Sequence, residues 1–221
     1  MEKISNKKKR VLEIIKVLDK LYPEAGCSLE YKDPLQLLVA TQLAAQCTDA
    51  RVNIVCKSLF QKYKNVKSFA ESELEELEQH IKSTGFYHNK AKNLKKCCEM
   101  LLYDFDGVVP NNMEDLLKLP GVGRKTANLV LGDIFKVPSL VIDTHAKRLS
   151  YRIGLTEAES PEKIEYDLME IVPKAFWTKF CHQLVFHGRE VCNARKPKCE
   201  FCDLNELCNY QRNKEKQEGF N

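Results

Sequence analysis

The sequence lacks any apolar run long enough to span a bilayer. Its longest stretch without a charged residue, 34–48, still contains Gln36, Gln42 and Gln46, and a spanning helix needs about 20 predominantly apolar residues. It has almost no runs that alternate polar and apolar residues, which argues against a sheet-built domain. Internal repeats and low-complexity tracts are missing too, so solenoids and disordered scaffolds are excluded. A large excess of one charge is absent as well: the formal net charge is only +4, which permits an anionic partner without demanding one. The first residues show no secretory pattern. Lys7, Lys8, Lys9 and Arg10 lead into Val11, Ile14, Ile15 and Leu18, interrupted by Glu13 and Lys16. That spacing predicts an amphipathic helix and a protein that stays inside the cell, without a membrane segment.

What is present is helical. Apolar residues recur at the 3.6-residue period, as in Leu12 with Ile15 and Val55 with Leu59, and the fold class expected is all-α. At 221 residues with 43% apolar content, the chain is long enough for one large domain or two small ones. The β-branched pieces around Val108, Val109 and 140–142 lie between turn signals and are expected as connectors. The polar segment after Tyr210 is expected to fray.

The sharpest local pattern lies at 111–134. Asn111 or Asn112 can cap a short helix carrying Met113, Leu116 and Leu117, which Pro120 with Gly121 and Gly123 must end. A second helix starts at Arg124, and Ala127, Val130, Leu131 and Ile134 form one apolar stripe. Glycines at 121 and 123 allow positive φ and close approach of another molecule. The N–H groups behind them, with the helix dipole, suit a phosphate. The segment is therefore either a plain αα-turn or a grip on a phosphate backbone that ignores base sequence.

Lys125 lies on the helix face opposite the apolar stripe, about 170° away at roughly 100° per residue. It is either a cation for a phosphate or a nucleophile. An amine attacks carbon only when neutral, and an ordinary lysine titrates near 10.4. Arg124, the helix N-terminus and partial desolvation would favour the neutral form. Downstream, Asp143 follows the apolar run 140–142 and precedes Thr144, His145 and a helical pattern. It is a helix N-cap, a catalytic carboxylate, or both.

The chain has 10 cysteines, and without a secretory signal these are expected as free thiols or metal ligands. Cys192, Cys199, Cys202 and Cys208 are separated by six, two and five residues. Four thiols so close together imply thiolate ligation of structural zinc or of an iron-sulfur cluster, although the paired CxxC elements common in zinc sites are missing. Cys27, Cys47, Cys56, Cys97, Cys98 and Cys181 show no ligand spacing and are expected as small buried or incidental thiols. Likewise, the histidines at 80, 88, 182 and 187 support no functional reading on their own.

Three of these segments carry a family likeness. LPGVGRKTA resembles the helix-hairpin-helix motif of DNA repair glycosylases, VIDTH their Asp-Thr-His segment, and HGREVC with ARKPKC and the later cysteines the [4Fe-4S] segment. Together they resemble the endonuclease III family from about Leu12 to Tyr210. The resemblance implies two helical lobes flanking a DNA cleft: a six-helix barrel lobe at 27–137 holding the hairpin, and a discontinuous lobe, 1–26 with 138–221, holding a [4Fe-4S] cluster on Cys192, Cys199, Cys202 and Cys208.

It also implies a bifunctional glycosylase and abasic-site lyase of base excision repair. Lys125 would form a Schiff base with C1′ of an extruded nucleotide, and Asp143 would assist and stabilise the positive sugar. Gly121, Gly123, Arg124, Arg195, Lys196 and Lys198 would contact the DNA backbone. AAQCTD and GFYHNKA resemble the stretches that fill and wedge the opened duplex, which points to Gln46 and Phe86; the wedge is commonly leucine, so phenylalanine is a departure. The partner implied is duplex DNA with oxidised pyrimidines or abasic sites, bound by a monomer in the cytoplasm or on the nucleoid of a bacterium. The competing readings are a monofunctional mismatch glycosylase in which Asp143 activates water, and a non-catalytic DNA-binding or redox-sensing iron-sulfur protein.

Overall fold

The computed structural model describes residues 2–210; the tail expected to fray lies outside the described residues. Eleven α-helices run in order: α1 Ile4–Leu21, α2 Pro34–Leu43, α3 Asp49–Lys62, α4 Val66–Ala70, α5 Leu74–Ile81, α6 Tyr87–Asp104, α7 Met113–Lys118, α8 Arg124–Asp133, α9 Thr144–Ile153, α10 Pro161–Ile171 and α11 Trp177–Glu190. No strand occurs among the described residues, so the chain is all-α. Many helix starts are written in the sequence. Asp33, Thr48, Asn65, Asn112, Asp143 and Ser160 each accept a hydrogen bond from a backbone N–H in the first turn, and Pro34 and Pro161 open α2 and α10, where a missing N–H costs nothing.

The chain divides into two compact units, one from Cys27 to Val137 and one joining the residues up to Gly26 with those from Pro138 on. The first contains α2 to α8, six helices and the single-turn α4. Its core is built from fully buried Leu37, Leu38, Leu43, Leu59, Phe69, Leu77, Ile81, Leu94, Leu101 and Leu116. Each such side chain contributes roughly 1.5–3 kcal/mol by leaving water.

In the second unit, α1 packs against α10 and α11, and α9 against α10 and α11. Val11, Ile14, Ile15 and Leu18 face inward as their spacing predicts, whereas Leu12 is exposed. Arg10 is only 7% exposed, although the sequence places it in a basic, solvated run. Its guanidinium donates to the carbonyls of Ile153 and Leu207, both at 2.8 Å, and of Gly154 at 2.9 Å, and it pairs with Glu2 at 2.7 Å. One side chain thereby fastens α1 to the end of α9 and to the segment before Cys208. The run 140–142 is buried and leads directly into Asp143, the N-cap of α9.

Candidate functional site

The hairpin is fixed from both sides. Asn112 caps α7 through Oδ1, which accepts from Asp115 N at 2.9 Å, and the chain reverses with Val122 N donating to Leu119 O at 3.1 Å. Leu119 and Val122 are buried while Gly121 and Gly123 are exposed, so the apolar residues anchor the turn and the glycines form its tip.

The two glycines serve different needs. Gly121 has φ +78°, and a Cβ there would stand 2.7 Å from Gln42 Oε1 and 3.0 Å from Asn93 Cβ. Both the dihedral and the space require glycine. At Gly123 the expected positive φ is not found: the backbone is extended at φ −100°, and an added Cβ meets nothing within 4 Å. The fold itself therefore gives no reason for glycine at 123, whereas a ligand pressed against the tip would. No side chain caps α8, leaving its N-terminal end open to an anion.

Lys125 is exposed. The partial desolvation expected from the sequence is therefore not supplied by the chain's own atoms, and a bound ligand would have to supply it. The buried face of α8 includes Ala127, Val130 and Leu131 as predicted. Asn128 and Gly132 are buried too, and Ile134, half-buried, is the C-cap and not part of the helix.

Asp143 belongs to the other unit. Its Oδ1 accepts from Ala146 N at 2.7 Å, so the expected cap is formed, and it occupies one carboxylate oxygen. A residue missed in the sequence, Arg148, sits one turn further along α9. Its Nη2 lies within hydrogen-bond distance of His145 Nδ1 at 3.1 Å and of the carbonyls of Gly188 and Cys192, each at 3.0 Å. A Cβ at Gly188 would lie 2.8 Å from His145 Nδ1, and glycine there lets α11 pack against α9. Burial holds the His145 imidazole below its ordinary value, opposed by the Asp143 carboxylate and reinforced by Arg148 and Arg189.

Cys192, Cys199, Cys202 and Cys208 line one cavity together with Arg152, Val191 and Pro197. Arg152 Nη1 reaches Cys192 Sγ at 3.4 Å and Asn193 O at 2.8 Å, and Nη2 reaches Ala194 O at 2.7 Å. His187 Nε2 stands 3.4 Å from Cys202 Sγ, a contact that makes His187 part of the cysteine site. Burial pushes the Cys202 thiol up to about 11, with the other three thiols adding to it. Gathered thiolates of this kind need a cationic centre among them. Among the described residues no group of three or more His, Cys, Asp or Glu is placed to hold a single metal ion. Four sulfurs around one cavity form a donor set suited to a thiolate-bound metal centre.

The cations Arg195, Lys196 and Lys198 are exposed on the same loop. Of the remaining cysteines, Cys56, Cys97, Cys98 and Cys181 are buried and Cys27 and Cys47 partly so, all as free thiols. Gln46 and Phe86 are exposed and lie in the unit that holds the hairpin. Gly121 abuts Gln42 of α2 and Asn93 of α6, so the hairpin rests on the two helices that border their loops.

Residues 39–174 match the family described as HhH-GPD superfamily base excision DNA repair protein. A protein of Synechocystis sp. named Endonuclease III is 51% identical over 209 residues, covering 94% of this chain and 95% of its own. The fold matches the structure of a non-covalent Endonuclease III-DNA complex with a TM-score of 0.89 and 42% identity, covering 95% of this chain and 98% of the other. A trapped Endonuclease III-DNA covalent intermediate matches with the same TM-score and identity, over 94% and 98% of the two chains.

Proposed function

The chain belongs to the HhH-GPD superfamily of base excision DNA repair proteins, and from that premise we propose that it is a bifunctional DNA glycosylase and abasic-site lyase acting through Lys125. Lys125 stands at the open N-terminus of α8, two residues after a glycine that the fold does not require. That observation carries the reading. A phosphate seated on the Gly123 tip would bring its sugar within range of the Lys125 side chain. The structural match to a trapped covalent Endonuclease III-DNA intermediate supports the same chemistry.

The damaged nucleotide is extruded from the duplex, because its C1′ is inaccessible in the stack. The neutral Lys125 Nζ attacks C1′, and the base leaves with the glycosidic electron pair and a proton. The C1′–O4′ bond of this adduct then breaks, O4′ takes up a proton, and the C1′=N iminium so formed acidifies the C2′ proton. Its removal breaks the C3′–O bond, and water then hydrolyses the imine to release Lys125. The negative charge of Asp143 favours the cationic sugar and the iminium. Substrates are oxidised pyrimidines and abasic sites in duplex DNA, met inside the cell or, in a bacterium, on the nucleoid, by a monomer.

Cys192, Cys199, Cys202 and Cys208 would hold a [4Fe-4S] cluster, which when bound cross-links a short segment that has little core of its own. Arg195, Lys196 and Lys198 on that loop, and Arg124 beside the hairpin, contact phosphates. Gln46 and Phe86 enter the opened duplex.

A thymine-glycol duplex tests the reading. Wild-type protein is expected to release the base and nick the strand, and Lys125→Gln to lose the nick. Base release without nicking by the wild type would instead favour a monofunctional enzyme with water activated at Asp143. Binding without turnover would favour a DNA-binding or redox-sensing protein.

A further inference from the structure

The loops carrying Gln46 and Phe86 share a backbone property that the sequence does not announce. Gln46 has φ +53° and Phe86 φ +49°, left-handed values at residues that bear side chains, and Phe86 is also 63% exposed. Such conformations persist only where the surroundings over-determine them.

One side chain ties both loops. Lys90, in the first turn of α6 and 7% exposed, donates from Nζ to Leu43 O at 2.8 Å and to Thr84 O at 2.8 Å. Leu43 lies three residues before Gln46, and Thr84 two residues before Phe86. No carboxylate pairs with this ammonium among the described residues. Burial disfavours its charged form, so a lysine here is a costly way to fill space. Two carbonyls at loop roots, held by one cation, are accounted for if the spacing of the loops matters.

We propose that Lys90 is the positioning residue of duplex opening, clamping the Gln46 loop to the Phe86 loop so that both side chains enter the DNA as one rigid pair. This rests on the reading that Gln46 and Phe86 enter the duplex. Lys90 touches no reacting atom in this scheme, and its effect is confined to separating a paired lesion from its partner.

The test uses thymine glycol opposite adenine and thymine glycol opposite an abasic analogue, where no base pair has to be opened. Single-turnover rates are normalised to the fraction of enzyme that borohydride traps on an abasic duplex. Lys90→Met is expected to lower the paired-to-unpaired rate ratio by about tenfold or more, and Lys90→Arg, which keeps a donor, by less. Gln46→Ala and Phe86→Ala should lower the same ratio. If they do and Lys90→Met does not, the clamp is wrong. If neither does, the reading beneath it fails and the clamp fails with it. Should Lys90→Met not fold, Lys90→Arg is read alone: a fall of about threefold supports the clamp and an unchanged ratio overturns it.

Discussion

At the scale of single residues, the proposed function gives Asp143 two roles that mutation separates. Its Oδ1 caps α9, and its charge would serve the cationic sugar. Asp143→Asn keeps a good cap, so urea unfolding should shift by no more than a few tenths of a kcal/mol, while the glycosylase rate falls about a hundredfold or more. Asp143→Ala should lose the rate and, in addition, about 1 kcal/mol of stability. His145 supplies a pH test. Its folded value is depressed, chiefly by burial, so the unfolded chain binds more protons around pH 6. Stability is therefore present above the ordinary imidazole range and is lost as pH falls through it. The urea midpoint should drop between about pH 7.5 and 5.5, and less so in His145→Gln. The cap at Asp143 is legible in the sequence because a side-chain acceptor before a helix has one local use. Lys90, Arg10 and Arg148 are not legible, because their partners are carbonyls brought close only by the fold.

At the scale of elements, the hairpin shows where sequence pattern reaches its limit. Two glycines and a proline predict the turn, but the pattern cannot tell a glycine needed for φ from one needed for open space. The structure makes that distinction, and stability and affinity should separate accordingly. Gly121→Ala, at φ +78° and 2.7 Å from Gln42 Oε1, should cost about 1–3 kcal/mol by thermal unfolding. Gly123→Ala should be neutral or stabilising by up to about 1 kcal/mol, yet weaken binding to an abasic-analogue duplex by about tenfold through loss of a phosphate contact. Equal loss of stability in both would contradict the distinction. The helix α9 has a comparable division of labour. Its N-terminus carries Asp143, its exposed turns carry Arg148 and Arg152 to the carbonyls of Cys192, Asn193 and Ala194, and its end is held by Arg10.

At the scale of the whole molecule, the helical class was readable because one period dominates the chain. How distant segments converge was not. The cysteine loop is joined to α9 by arginine-carbonyl bonds and to α1 by Arg10, contacts that no spacing announces. Removing the proposed cluster should therefore loosen more than the loop. Hydrogen exchange is expected to accelerate in 192–208 and at the C-terminal end of α9, with α2 to α6 in the other unit unchanged. The most direct test of the central claim is to reduce the protein with borohydride on an abasic duplex, digest the adduct and locate the modified peptide by mass spectrometry. A sugar remnant on Lys125 is the predicted result. A trapped remnant on another amine, or no adduct while the strand is still nicked, would contradict it.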